Sequence, residues 1–144
     1  MNIEQFIAQC QGDWRSMRSG HSLAFQQFEQ TIGTITIKIL CNDDSRVIEL
    51  INSMGNIEGD TVLPFIISWQ SESDWEEDNQ SKINTGSSLF IPIPRSKKDG
   101  VMLRSMGYAE QTKSISTYYL LENGTLVLRS KYENTIAEES IWFV

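Results

Sequence analysis

Apolar positions recur along this chain at two spacings. Over residues 2–11 they fall at Ile3, Phe6, Ile7 and Cys10, the three-and-four step that lines one face of a helix. Gly12 comes next, a residue that readily ends a helix, so a helix is predicted there. Beyond it the step changes to two. Ile35, Ile37, Ile39 and Cys41 alternate with Thr34, Thr36 and Lys38, which predicts a strand with one apolar face. Leu63, Phe65, Ile67 and Trp69 alternate with Val62, Pro64, Ile66 and Ser68; both faces are largely apolar, as in a well-buried strand, and Pro64 weakens the ladder at its start. A short strand over residues 89–93 is closed by Pro92 and Pro94. Strands over 101–108 and 114–121 follow, then Glu122-Asn123-Gly124, whose Asn-Gly pair favours a tight hairpin turn. Leu126, Leu128, Ser130 and Tyr132 alternate with Val127, Arg129, Lys131 and Glu133, and a last strand is predicted over 135–143. One helix interrupts the series. Asp43 or Asp44 can cap it, Val47, Ile48, Ile51 and Met54 form its apolar stripe, and it should end near Gly55.

A mainly β chain with about eight strands in sequence, short turns, an N-terminal helix and one further short helix points to a single closed antiparallel barrel over residues 1–144. Closure removes sheet edges, and a barrel of about eight strands holds one small ligand. A two-sheet sandwich accounts for the strand count nearly as well.

Charge narrows the partners. The net charge is −7, and no cluster of Lys and Arg exists to neutralise a run of phosphates. Nucleic acid and anionic membrane surfaces are therefore disfavoured. No apolar run approaches the roughly 20 residues of a membrane span. Residues 1–10 lack the basic flank and apolar core of a secretory signal. The chain is thus expected to act in the compartment where it is made, or to have lost a targeting peptide beforehand. The two cysteines, Cys10 and Cys41, stand in no metal or redox spacing, and reduced, partly buried thiols are expected.

Motifs for hydrolysis, phosphate binding or zinc are missing from the sequence. His21 is the one histidine, and nothing local supports a Ser-His-Asp triad around it. Glu76-Glu77 and Glu138-Glu139 are neighbours, so on strands each pair splits between opposite faces, which argues against a two-carboxylate hydrolase.

Gly12-Asp13-Trp14, between a helix and a strand, resembles the Gly-x-Trp entry of lipocalins, with Trp14 expected as a core aromatic. The run Trp14-x-Ser16-x-Arg18-x-x-His21-x-Leu23-Ala24-Phe25 is similar to the opening signature of the S-type phycobiliprotein lyases. Further matches follow in order: residues 60–69 with Trp75, residues 100–110 with Arg104 and Gly107-Tyr108-Ala109-Glu110, and Glu138-Glu139-Ser140-Ile141-Trp142-Phe143. The resemblance spans nearly the whole chain. It implies a lipocalin-like barrel of about 8–10 strands, no permanent cofactor, and an open-chain tetrapyrrole (phycocyanobilin or phycoerythrobilin) as bound substrate. It also implies an apo-phycobiliprotein α or β subunit as partner, whose cysteine takes the bilin through a thioether, and a cyanobacterial cytosol or plastid stroma as setting. Whether the chain pairs with itself or with a related lyase stays open. The family pattern continues past the Trp-Phe pair with an arginine-bearing segment and reads Glu-Glu-Arg where this chain has Glu138-Glu139-Ser140. Contacts from those arginines are expected to be missing, and affinity or bilin choice to differ.

A bilin has two propionates, four ring nitrogens and a long conjugated plane, so it needs a cation, a carboxylate and flat apolar walls. Arg18 is the candidate propionate clamp, and it is expected to matter more than any Lys; Arg15, of opposite strand parity, should matter little. Glu139 is the candidate acceptor for the pyrrole N–H groups and, with His21, the candidate for proton handling. Trp69 and Trp75 offer stacking faces, and the resemblance adds Arg104 and Tyr108 as bilin contacts. Each has a plainer reading. Arg18 is equally a surface cation, His21 a strand-end side chain bonded to backbone, and Trp69 plain core. Met102-Arg104-Met106 reads first as packing. Arg18 and His21 differ by three, so they share a face only if a bulge, tolerable at Gly20, intervenes. Neither cysteine is expected in the pocket or in binding. The rival functions are a carrier of a fatty acid, haem or other apolar ligand, and a non-binding assembly factor with a filled interior.

Overall fold

The computed structural model describes residues 1–22, 27–55, 57–73, 82–106, 113–132 and 135–144. Asn2 opens α1 (Ile3–Cys10) with a capping box: its side-chain oxygen accepts from the Gln5 N–H, and its own N–H donates to Gln5 Oε1, both at 2.9 Å. The face read from the spacing is the one buried, through Ile3, Phe6 and Ile7. Gly12, at φ +135°, turns the chain into the first strand, a conformation that L side chains rarely adopt.

The strands are β1 (Gly12–Ser22), β2 (Gln27–Ile39), β3 (Phe65–Ser73), β4 (Lys82–Pro94), β5 (Asp99–Met106), β6 (Lys113–Leu120), β7 (Leu126–Tyr132) and β8 (Thr135–Ile141), with α2 (Ser45–Ser53) between β2 and β3. Each pairs antiparallel with the next, giving one eight-stranded sheet in sequence order. The sheet curls far enough that Ser16 of β1 and Glu139 of β8 line one cavity with Trp69 and Phe90. It is a half-barrel: among the described residues no ladder joins β1 to β8. Where closure by hydrogen bonds was expected, aromatic rings bridge one end instead. Phe143, just past β8, packs its ring 5.2 Å from that of Phe6 and 6.1 Å from that of Trp14. The α1 helix fills that end, so side chains span the gap there.

The period of two sends the strand residues to two cores. Inside the curl, Ile3, Phe6 and Ile7 of α1 meet Phe65, Phe90, Met102, Tyr118 and Leu128. On the outer face, Leu89, Ile91, Ile93 and Leu103 are covered by Val47 and Leu50 of α2. That helix is capped by Asp44, which accepts from the Arg46 N–H at 2.9 Å. Val47 and Leu50 are buried and Ile51 and Met54 partly buried beside them, whereas Ile48, on the expected stripe, is 45 % exposed. Positions i, i+3, i+4 and i+7 meet the sheet, and Ile48 falls one step off that line.

Two other expectations change. Pro92 and Pro94 do not close β4, which runs through both. Beyond Phe90 its ladder continues only toward β5, so a missing N–H on the other side costs no ladder bond, and the Pro92 carbonyl accepts from Val62 N–H at 3.1 Å. Trp14 is 42 % exposed rather than core; its Nε1 donates to the Cys10 carbonyl at 2.7 Å, satisfying one of the open carbonyls at the end of α1. The turn before β7 is as expected. Gly124, at φ +87°, donates to the Leu121 carbonyl at 3.0 Å, and Leu121 N–H to that of Thr125 at 2.9 Å.

Candidate functional site

The interior holds a cavity of about 600 Å³. Small-molecule sites are mostly apolar hollows of this order carrying a few placed polar groups. Its floor is α1, through Phe6, Ile7 and Cys10, and its walls are the inward residues of the strands. Phe65 and Phe90 stack across β3 and β4, with ring centroids 5.0 Å apart and an interplanar angle of 5°.

One charged pair stands in this apolar setting. Arg104 lies opposite Phe90 in the β4–β5 register, and its guanidinium carbon sits 5.1 Å from the Phe90 centroid, a cation–π contact. From β5 it reaches across the interior, where its Nη1 donates to Glu139 Oε1 on β8 at 3.2 Å. The Arg104 side chain is 18 % exposed and that of Glu139 47 %. The Arg104 Nε is buried with no hydrogen-bond partner among the described residues. A buried donor of this kind is costly when unpaired, so the site favours an incoming acceptor, above all a carboxylate. Met102 and Arg104 thus line the cavity rather than serving only as packing. Glu138 points the other way and accepts from Arg129 Nη2 at 2.9 Å on the outer surface. The two neighbouring carboxylates are split between faces, as their spacing requires.

Trp69 also lines the cavity. It pairs with Gly86 across the β3–β4 ladder, and a Cβ at position 86 would overlap the indole ring. Glycine at 86 therefore lets the indole lie down over β4, which keeps a flat apolar surface on the wall without filling the interior.

The β1–β2 ladder runs without interruption from Gly12↔Ile37 to Ser22↔Gln27. The bulge considered at Gly20 is not formed: Gly20 pairs singly with Glu29. Arg18 therefore holds a register position of the same parity as cavity-lining Ser16, and His21 holds the opposite parity. The side chains of both lie outside the described residues, as do Trp75 and Tyr108 entirely.

Cys10 lines the cavity, against the expectation that neither cysteine would. Burial pushes its thiol from an ordinary 9.0 up to about 11. At neutral pH that lowers its thiolate fraction about a hundredfold, and the thiolate is the nucleophile. Cys41 is exposed. With a disulfide-exchange chromophore at neutral pH, one thiol equivalent is expected to react quickly and the second at least about tenfold more slowly until denaturant is added. Two equivalents reacting together would show that Cys10 is open to solvent.

Sequence reading missed the Arg104–Glu139 pair, the helix floor with Cys10, and the role of Gly86. Parity alone could have placed Met102 and Arg104 on one face. The pair itself joins residues 35 apart on strands that are not neighbours, which no local pattern reveals.

A family model described as CpeS-like protein matches residues 2–144. The chain is 45 % identical over 145 residues to a protein of Trichodesmium erythraeum named Chromophore lyase CpcS/CpeS 3, covering 99 % of this chain and 82 % of that one. It is 30 % identical over 144 residues to a Picosynechococcus protein named Phycocyanobilin lyase subunit CpcS, covering 99 % and 72 %. The solved structure of the S-type phycobiliprotein lyase CPES from Guillardia theta superposes with a TM-score of 0.83 at 29 % identity, covering 99 % of this chain and 76 % of that one. With the match running through the strands that build the cavity, and the same fold beneath it, this chain belongs to the CpeS-like protein family.

Proposed function

We propose that this chain is a phycobiliprotein lyase, acting as a single barrel unit. It binds phycocyanobilin or phycoerythrobilin without a covalent bond and promotes thioether attachment to a cysteine of an apo-phycobiliprotein α or β subunit. The relatives' names support the reaction class. The observation that carries it to these residues is the Arg104–Glu139 pair set in an apolar cavity beside Trp69. Arg104 takes a propionate on its unused donors, with Arg18, at a register position of the same parity as Ser16, as a second cation. Glu139 accepts from the pyrrole N–H groups, Trp69 stacks on the conjugated plane, and Trp75 and Tyr108 add contacts. Proton handling is assigned first to Glu139, which lines the cavity beside Arg104, with His21 kept as the second candidate.

A fatty-acid carrier suits the site less well. Its ligand brings one carboxylate for Arg104 but no N–H donors, so Glu139 would gain no partner from it. A filled-interior assembly factor conflicts with a cavity of about 600 Å³. The lyase gains rate by holding the bilin in one orientation before the acceptor arrives.

Titrating phycocyanobilin into the protein should sharpen and shift its visible absorbance at a one-to-one ratio. Adding an apo-subunit should then give a denaturation-resistant bilin adduct faster than free bilin does. No spectral change, or an equal adduct rate without the chain, would refute the proposal. The Cys10→Ser, Cys41→Ser double variant should bind bilin as well, since neither thiol serves the reaction.

A further inference from the structure

We propose that Ser116 and Ser130 are positioning residues for the bilin site: their buried hydroxyl pair forms a low bed across which Arg104 reaches Glu139. The proposal rests on the lyase reading and adds what aims its cation. The two serines stand opposite one another on β6 and β7, both buried, with their Oγ atoms in hydrogen-bond contact at 2.6 Å. The ladders set them in the middle of one row across the sheet, Met102–Ser116–Ser130–Ala137. Arg104 stands two residues along β5 from Met102, to one side of that row. Glu139 stands two residues along β8 from Ala137, to the other side, in the row that Tyr118 and Leu128 share. A side chain that joins Arg104 to Glu139 at 3.2 Å therefore crosses the serine row between β6 and β7.

Size decides what can stand beneath it. Met102, Tyr118 and Leu128, around the serines, are large and buried in the inner core. Arg104, Met102, Leu128 and Glu139 all line the cavity, whereas Ser116 and Ser130 do not, as expected of residues lying under the charged pair. On packing grounds alone serine is a poor choice for a buried strand position, because β-branched and aromatic residues suit strands better and a buried hydroxyl needs a partner. Here the two hydroxyls partner each other and keep the crossing low. Neither bonds to Arg104 Nε, which has no hydrogen-bond partner among the described residues. The bed thus guides the guanidinium by its shape and leaves that donor for a ligand carboxylate. Valine at position 130 would put its methyls into the crossing and lift the guanidinium off its line to Glu139.

Variants that change room and bonding separately test this. Ser130→Val should weaken phycocyanobilin binding at least about tenfold in absorbance titrations, roughly the loss of one charged hydrogen bond. Ser130→Thr keeps the hydroxyl and adds one methyl, and it carries the test if the valine variant does not fold. Ser116→Ala and Ser130→Ala made together strand no hydroxyl and keep the room, so that chain should bind at least about fivefold tighter than Ser130→Val. Thr117→Val, exposed on the other face of β6, is the control and should change nothing. In an Arg104→Met chain, Ser130→Val should cost less than about twofold more, since residues that act through one another are not additive. A second readout needs no bilin. The Arg104 Nε–H signal in proton–nitrogen correlation spectra is assigned by its absence in Arg104→Met. Its exchange with water should be at least about tenfold faster in Ser130→Val than in the parent or the double alanine variant. Unchanged exchange in Ser130→Val and Ser130→Thr overturns the bed, as does an equal loss of affinity with and without Arg104, or a double alanine variant as weak as Ser130→Val. Faster exchange with affinity intact would instead remove Arg104 as the propionate clamp and leave the bed in place. Absence of any spectral change with the unsubstituted chain would sink the lyase reading itself.

Discussion

Arg104→Met is expected to weaken bilin binding about 10- to 150-fold. Hydrogen bonds to charged groups contribute about 1.5–3 kcal/mol, and each 1.4 kcal/mol is about a factor of ten in affinity. Methionine keeps most of the side-chain bulk against Phe90 and Met102, so the loss reports the guanidinium rather than a void. Arg104→Lys should recover only part of it: the charge returns, but the planar fork that grips a carboxylate at two points does not. Arg129→Ala is the control, because that arginine pairs with Glu138 on the outer face, at 2.9 Å, and should leave affinity unchanged. Absorbance titrations decide the matter, and equal affinities for the parent and Arg104→Met would move the propionate site elsewhere. Arg18→Ala belongs in the same series, since an inward cation there would add a loss of similar size.

The largest effect on stability is expected from Phe6→Ala, about 3–5 kcal/mol. Phe6 is buried at the end of the curl, among Ile3, Ile7 and Phe65, with its ring against Phe143. Its removal leaves a ring-sized void beside Phe143, at the end where α1 meets Trp14 of β1 and the residue after β8. Urea unfolding should show a lower midpoint with the slope unchanged. Ile48→Ala, on the exposed face of α2, should stay within about 0.5 kcal/mol. A loss below about 1 kcal/mol for Phe6→Ala would mean that α1 is not the plug described above.

Much of this was legible along the chain because its causes are local. Strand periodicity depends on neighbours two residues apart, and the helix faces on neighbours three and four apart. Asp44 as a cap and Gly124 in the hairpin follow from side-chain and backbone chemistry within a few residues. The splitting of Glu138 from Glu139 needed only the alternation of a strand. Where local patterns left two answers, the sequence could not choose. Ile48 and Leu50 are both apolar on α2, and only the position of the outer sheet face selects Leu50 for burial. Gly20 permits a bulge, but the unbroken pairing of β1 with β2 decides against one.

The sequence by itself therefore determined that most of these elements exist and how residues alternate along the strands, since both are set by short-range geometry. Only the tertiary structure decided that the curl stays open between β1 and β8, that α1 floors the cavity with Cys10, and that Arg104 meets Glu139. Those features depend on how far eight strands twist around a common interior, a sum over the whole sheet that no single segment of the chain contains.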